Sequence, residues 1–90
     1  MRYEMARSLS GHDRDEIYLI VQKEGRFACL VNGRTHTCAN PKKKNEKHYQ
    51  VIKQIPEHIR TRLGEQETLS DDTVRWAVRA YEKSIKTISQ

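Results

Sequence analysis

The sequence predicts a small, mainly β domain: a five-stranded barrel followed by a short helical turn and a C-terminal α-helix. Short β-branched and aromatic runs separated by turn residues fill the first half, and after Ile55 the hydrophobic period changes to that of a helix. The chain has 90 residues, of which 36% are apolar, so it can bury one small core.

The predicted strands lie at residues 17–21 and 27–31, with an earlier one near 3–8 and a later one at 48–54. Glu24-Gly25 predicts a tight turn that pairs Lys23 with Arg26. Asn32-Gly33 predicts a type I′ hairpin, since such a turn needs positive φ at both central positions. The partner pairs expected from that hairpin are Arg34 with Val31, His36 with Cys29, and Cys38 with Phe27.

The second half predicts two helical segments. Pro56 opens a short turn through about Leu63 that ends at Gly64, and Ser70 caps a longer helix. That helix has an apolar stripe with a period of 3.6 residues, formed by Val74, Ala77, Val78, Tyr81, Ile85 and Ile88. We therefore expect a barrel over residues 1–55 and a helical extension over residues 56–90 that packs on it.

The positive charge is concentrated in one third of the chain. Residues 34–62 contain eight Lys and Arg against two acids, whereas the rest contains nine against ten. Lysines at 42, 43, 44 and 47 repel one another unless an anion neutralises them. This pattern favours a polyanion as the partner, with a solvated basic loop that has no partner as the alternative.

Residues 8–15, Ser-Leu-Ser-Gly-His-Asp-Arg-Asp, precede a hydrophobic strand and resemble the KOW motif, typically Gly-x-Asp-Lys-Gly. Residues 30–34, 40–48 and 69–75 are also similar to bacterial KOW-domain RNA-binding proteins, which are similar to large-subunit ribosomal KOW proteins of archaea and eukaryotes. The resemblance implies an SH3-like barrel that binds structured RNA. Asp15 stands where the motif has its second glycine, and it brings a negative charge to the loop.

RNA, above all ribosomal RNA, is therefore the expected partner, bound through phosphate contacts, with ribosomal proteins as possible further partners. The expected contact residues are Gly11, His12, Arg14, Arg34, Lys42, Lys43, Lys44, Lys47, His48 and Lys53. A second set on the C-terminal helix consists of Arg75, Arg79 and Lys83. Tyr18 or Tyr49 could stack on a base, although core packing is the favoured role for both.

Two other functions stay open at this point. The chain could be a protein-interaction module that docks on ribosome- or transcription-associated proteins, with Trp76 as an anchor. Duplex DNA is a weaker third possibility, because phosphate contacts alone do not distinguish it from RNA.

Catalysis and cofactor binding find little support in the sequence. Cys29 opposite His36 would be a thiol–imidazole pair without an orienting third group, and the C-x8-C spacing of Cys29 and Cys38 does not suit zinc. There is no phosphate-binding glycine loop and no apolar run long enough to span a bilayer. We expect a cytoplasmic protein that is not an enzyme, uses no cofactor and binds neither a membrane nor a small-molecule substrate.

Overall fold

A computed structural model of the chain describes residues 3–88, with side chains through residue 85. Within that range, five antiparallel strands form a curled half-barrel that is followed by two helices, which confirms the predicted fold class. The sheet order is β4-β3-β2-β1-β5, and a 3₁₀ turn at Glu46–His48 joins the two edge strands. The elements are β1 (Glu4–Ser8), β2 (Ile17–Glu24), β3 (Phe27–Val31), β4 (Lys42–Asn45), β5 (Tyr49–Ile52), α1 (Glu57–Gly64) and α2 (Asp71–Ile88).

Both faces of the sheet are buried, which explains why β2 begins as a continuous apolar run. Ile17 and Leu19 belong to the core that the sheet shares with the helices, whereas Tyr18 and Ile20 belong to a second core on the other face. Successive side chains of a strand point to opposite faces, so a strand buried on both sides shows no polar alternation. Val21 is an extra residue between the pairs Ile20–Leu30 and Gln22–Cys29, a bulge of the kind that bends a strand.

The helices cover the first face of the sheet. Ile59 and Leu63 of α1 are buried with the start of the α2 stripe, Val74, Ala77 and Val78. The predicted cap is present, because the backbone N–H of Thr73 donates to Ser70 Oγ at 3.2 Å. Further along the stripe Tyr81 is half-buried and Ile85 is exposed, while the side chain of Ile88 lies outside the described part. Neither helix in the described residues is long and apolar enough to cross a membrane.

The predicted hairpin at Asn32-Gly33 is wrong: β3 pairs with residues 42–45, from Leu30 with Lys42 to Phe27 with Asn45. Of the two turn residues, Gly33 has positive φ and Asn32 does not. Asn32 Oδ1 instead accepts the backbone N–H groups of Arg34 and His36 at 2.9 and 3.0 Å. This side-chain turn opens a wide loop rather than a tight hairpin. The predicted partners of Val31, Cys29 and Phe27 are therefore not paired with them.

The first hairpin forms with a shifted register. Glu24 pairs with Phe27, so the turn residues are Gly25 and Arg26 rather than Glu24 and Gly25. Gly25 has φ +57° and occupies the first central position, the place where a type II′ turn requires glycine. The predicted Lys23–Arg26 pair is replaced by Lys23 with Ala28.

Gly33 is the point at which the loop after β3 meets α2. A Cβ on Gly33 would lie 2.5 Å from the backbone oxygen of Asp71, and φ there is +78°. We predict that Gly33→Ala lowers the free energy of unfolding by about 2–4 kcal/mol, through left-handed strain and overpacking together.

Urea unfolding checks this prediction against a matched control. Gly25 also has positive φ, but an added Cβ would meet nothing within 4 Å. Gly25→Ala should therefore cost about 1–2 kcal/mol, from backbone strain alone. Equal losses in the two variants would contradict the close approach of Gly33 to α2.

Candidate nucleic-acid interface

The lysine run lies on edge strand β4, where its side chains alternate between two directions. Lys42 and Lys44 extend to Asp13, at 2.9 and 3.0 Å between Nζ and a carboxylate oxygen. Lys43 lies over the ring of Phe27, with Nζ 5.1 Å from the ring centroid. Lys44 is buried and Lys42 half-buried, so only Lys43 of the three is exposed.

Asp13 is the centre of this polar cluster and is itself buried. Besides the two lysines, Ser8 Oγ donates to it at 3.0 Å and the Tyr18 hydroxyl at 2.8 Å. Burial opposes ionisation of the carboxyl, but these four donors outweigh it and hold the pKa of Asp13 well below its usual range. Burial first, and then the hydrogen bond to Asp13, raises the pKa of Tyr18.

The cluster changes what the lysine run can contribute to a binding surface. From the sequence we expected an external anion to neutralise these lysines, but Lys42 and Lys44 share the single carboxylate of Asp13 inside the protein. Asp15, the departure from the motif, has φ +72° and is exposed, so it takes the left-handed conformation available to a glycine. Asp13 was visible in the sequence as part of the motif, but its role depends on contacts 29 and 31 residues away.

The loop at residues 9–16 is joined to the 3₁₀ turn. The N–H of Leu9 donates to the backbone oxygen of His48 at 2.8 Å, and Ser10 Oγ lies 3.0 Å from His48 Nδ1. These contacts bring the predicted RNA-contact residues of the loop close to those of the 3₁₀ turn, which precedes β5. Of the predicted contact residues, Gly11, His12, Arg14, Lys47 and His48 are exposed in these two segments, together with three acids, Asp15, Glu16 and Glu46.

Beyond the 3₁₀ turn, further basic residues lie beside β5 or come after it in the chain. Arg7 pairs with Gln50 across the sheet, Lys53 comes directly after β5, and Nη2 of Arg60 lies 3.4 Å from the backbone oxygen of Ile55. We call the resulting set the basic strip: Arg7, Lys47, His48, Lys53 and Arg60. All five are exposed, and in the part of the chain that the structure describes no carboxylate lies within 4.0 Å of their side-chain nitrogens. Sequence reasoning omitted Arg7 and Arg60, because only strand pairing and helix packing bring them to β5.

The remaining predicted bases lie elsewhere. Arg34 is exposed in the loop after β3. Arg75 donates to the backbone oxygen of Gly33 at 2.6 Å and pairs with Asp72, so it fastens that loop to α2. Arg79 and Lys83 are exposed and line a shallow depression of about 390 Å³ on α2.

The aromatic candidates have contacts within the protein. Tyr18 and Tyr49 are buried in the second core. Trp76 is half-buried, with the guanidinium carbon of Arg62 4.3 Å from its ring centroid and His58 edge-on at 6.2 Å. These α1 contacts cover much of the indole that would have to anchor a protein partner.

The predicted Cys29–His36 pair is wrong, since Cys29 faces Gln22 and Lys43 in the sheet. Cys38 lies in the loop after β3, where its N–H donates to Asp71 Oδ1 at 2.8 Å, and both thiols are free. Among the described residues, no group of three His, Cys, Asp or Glu could hold a metal ion.

We predict that Asp13→Asn lowers the free energy of unfolding by about 3 kcal/mol, because it leaves the buried Lys44 ammonium without its counter-charge. Thermal or urea unfolding at neutral pH measures this loss. Asp15→Asn is the matched control, since Asp15 is exposed and asparagine tolerates its left-handed backbone, and it should change stability by at most about 0.5 kcal/mol. A loss as small in Asp13→Asn as in the control would contradict the role of the cluster.

The lowered pKa of Asp13 predicts acid sensitivity. In the unfolded chain an aspartate binds its proton near pH 4, whereas in the folded protein it does so only at lower pH. Its contribution to stability is therefore complete at neutral pH and declines as the pH falls below about 4 towards the folded pKa. Urea unfolding between pH 7 and 2.5 should show a smaller decline for Asp13→Asn than for the wild type, and equal declines would contradict this.

A scan against protein-family models and a search of curated proteins both found no match for the chain. The cluster at Asp13 and the basic strip are therefore the features of the molecule that bear on its function.

Proposed function

We propose that the chain is a KOW-type protein that binds structured RNA, above all ribosomal RNA, through phosphate contacts from the basic strip. The observation that carries this proposal is the state of the strip's side chains: they are exposed and lack carboxylate partners within the described residues. Three of the other predicted bases are engaged internally, Lys42 and Lys44 on Asp13 and Arg75 on the loop after β3.

The shape of the strip suits a nucleic-acid backbone. From Lys47 to Lys53 the chain follows the 3₁₀ turn and β5, and six residues span at most about 20 Å. Several successive phosphates of one strand fit within that length. Arg7 and Arg60 broaden the positive surface beside β5. No carboxylate is among the described residues that line this surface.

The character of these residues favours recognition of shape over sequence. Lys and Arg tips contact phosphates, which position the ligand but do not identify its bases. Both tyrosines that we considered for stacking are core residues, so neither of them can stack on an RNA base. Structured RNA, read through its backbone, is the ligand class that matches such a surface. We expect the protein to act in the cytoplasm, in association with ribosomes.

We predict that binding to a ribosomal RNA hairpin weakens steeply with salt, because each phosphate contact releases a counterion. Replacing Lys53 with Gln should weaken binding and reduce the slope of log K against log salt by about 1. Fluorescence anisotropy from 50 to 300 mM salt measures both effects. Lys23→Gln is the matched control, because Lys23 is exposed but paired with Glu4 at 2.8 Å outside the strip.

Two results would contradict this proposal: binding that does not change with salt, or equal losses in Lys53→Gln and Lys23→Gln. A DNA duplex of the same sequence included in the titration tests the DNA alternative directly. Ribosome cosedimentation with and without RNase separates RNA contacts from direct protein contacts, because only RNA-bridged association is lost after digestion.

A further inference from the structure

A groove lies beside the basic strip, between β5 with the residues that follow it and the C-terminal half of α2. Its volume of about 910 Å³ falls within the range of small-ligand pockets, about 300–1,000 Å³. Three members of the strip line it, Arg7, Lys53 and Arg60, and no aspartate or glutamate is among its described lining residues. The groove is therefore electrostatically suited to an anionic ligand.

The groove also has an apolar part that phosphates alone would leave unused. Ile52, Ile55, Tyr81 and Ile85 contribute to the lining. Ile85 is among the exposed large apolar side chains of the described chain, at the point where the α2 stripe leaves the core. Tyr81 is half-buried and is the aromatic residue among the described residues of the lining.

We infer that this groove takes one or a few unpaired nucleotides of the bound RNA, with the bases against its apolar part and the phosphates on the three cations. Bases inside a duplex have their faces covered by stacking, so only unpaired bases can offer them to Tyr81 and the isoleucines. The inference rests on the proposed function and narrows its ligand to structured RNA that carries an unpaired segment next to a helix.

An acidic extended peptide is the rival ligand for such a groove, since β5 is an edge strand to which a further strand could be added. However, β5 has only four residues, and Pro56 follows soon after it, so the edge offers few backbone groups to a peptide. The groove shares Arg7, Lys53 and Arg60 with the basic strip. That continuity favours a single ligand, the RNA, over two unrelated ones.

The test compares three RNAs by fluorescence anisotropy at fixed salt: a blunt hairpin, the same hairpin with a three-nucleotide single-stranded extension, and the hairpin with an abasic extension. The abasic extension keeps the phosphates and sugars but lacks the bases. We expect the base-bearing extension to bind roughly tenfold more tightly than the abasic one, in keeping with base–aromatic stacking. Equal affinities would overturn the inference while leaving hairpin binding intact.

Variants locate the effect. Tyr81→Leu keeps an apolar side chain at that position, and Ile85→Asn replaces an exposed side chain, so both variants should fold. Each should reduce the affinity advantage of the base-bearing extension over the abasic one to about threefold or less. Leu9→Asn is the matched control, because Leu9 is 41% exposed against 39% for Ile85 and does not line the groove. It should leave the advantage unchanged, and an equal loss in Leu9→Asn would overturn the assignment to the groove.

A binding measurement with an acidic peptide tests the rival ligand. If a peptide of alternating glutamate and valine binds in a Lys53-dependent manner and the RNA extension has no effect, the groove is a peptide site and the inference is wrong. If no RNA binds at all, both the proposed function and this inference fail. If the hairpin binds and the base-bearing extension raises its affinity above that of the abasic one, both the proposed function and the inference are supported.

Discussion

The buried carboxylate of Asp13 is the interaction on which much of this structure depends. A charge at this depth is costly unless it is matched, and it is matched by two lysines, a serine and a tyrosine. The donors come from β1, β2 and edge strand β4, while Asp13 belongs to the loop between β1 and β2. One carboxylate therefore fixes that loop, holds the edge strand over the second core and orients the phenol of Tyr18.

The same interaction divides the positive charge into a structural part and an available part. In the densest basic stretch of the sequence, Lys42 and Lys44 pair with Asp13 inside the protein. Lys43 of the same stretch lies over the ring of Phe27. The five residues of the basic strip face solvent without a carboxylate partner among the described residues, and two of them are arginines from outside the lysine run. The surface that we propose for an anionic polymer therefore lies beside the opposite edge of the sheet from β4. Charge density along a sequence is thus a poor guide to the position of a binding surface when the charged residues alternate along a strand.

The second determinant is the junction of the loop after β3 with α2. Gly33 lies so close to the start of α2 that no side chain fits, and Arg75 and Asp71 reach back to the loop at Gly33 and Cys38. Because this loop is fastened to the helix, residues 34–38 do not fold back on β3, and the next strand begins only at Lys42. A dipeptide typical of tight hairpins therefore serves here as a helix-docking site, and the register of the whole edge strand follows from it.

Local chemistry was enough to predict the mainly β class, the strand Phe27–Val31, the cap at Ser70 and the buried half of the α2 stripe, because each depends on residues close together in the chain. Only the tertiary structure decided which lysines face inward, that β4 lies at residues 42–45, and that Arg7 and Arg60 join Lys53 beside a groove. Those outcomes depend on contacts between residues some 30 to 50 positions apart, such as Lys44 with Asp13 and Gly33 with Arg75. Their energies come from burial and close approach, which a pattern of neighbouring residues does not encode.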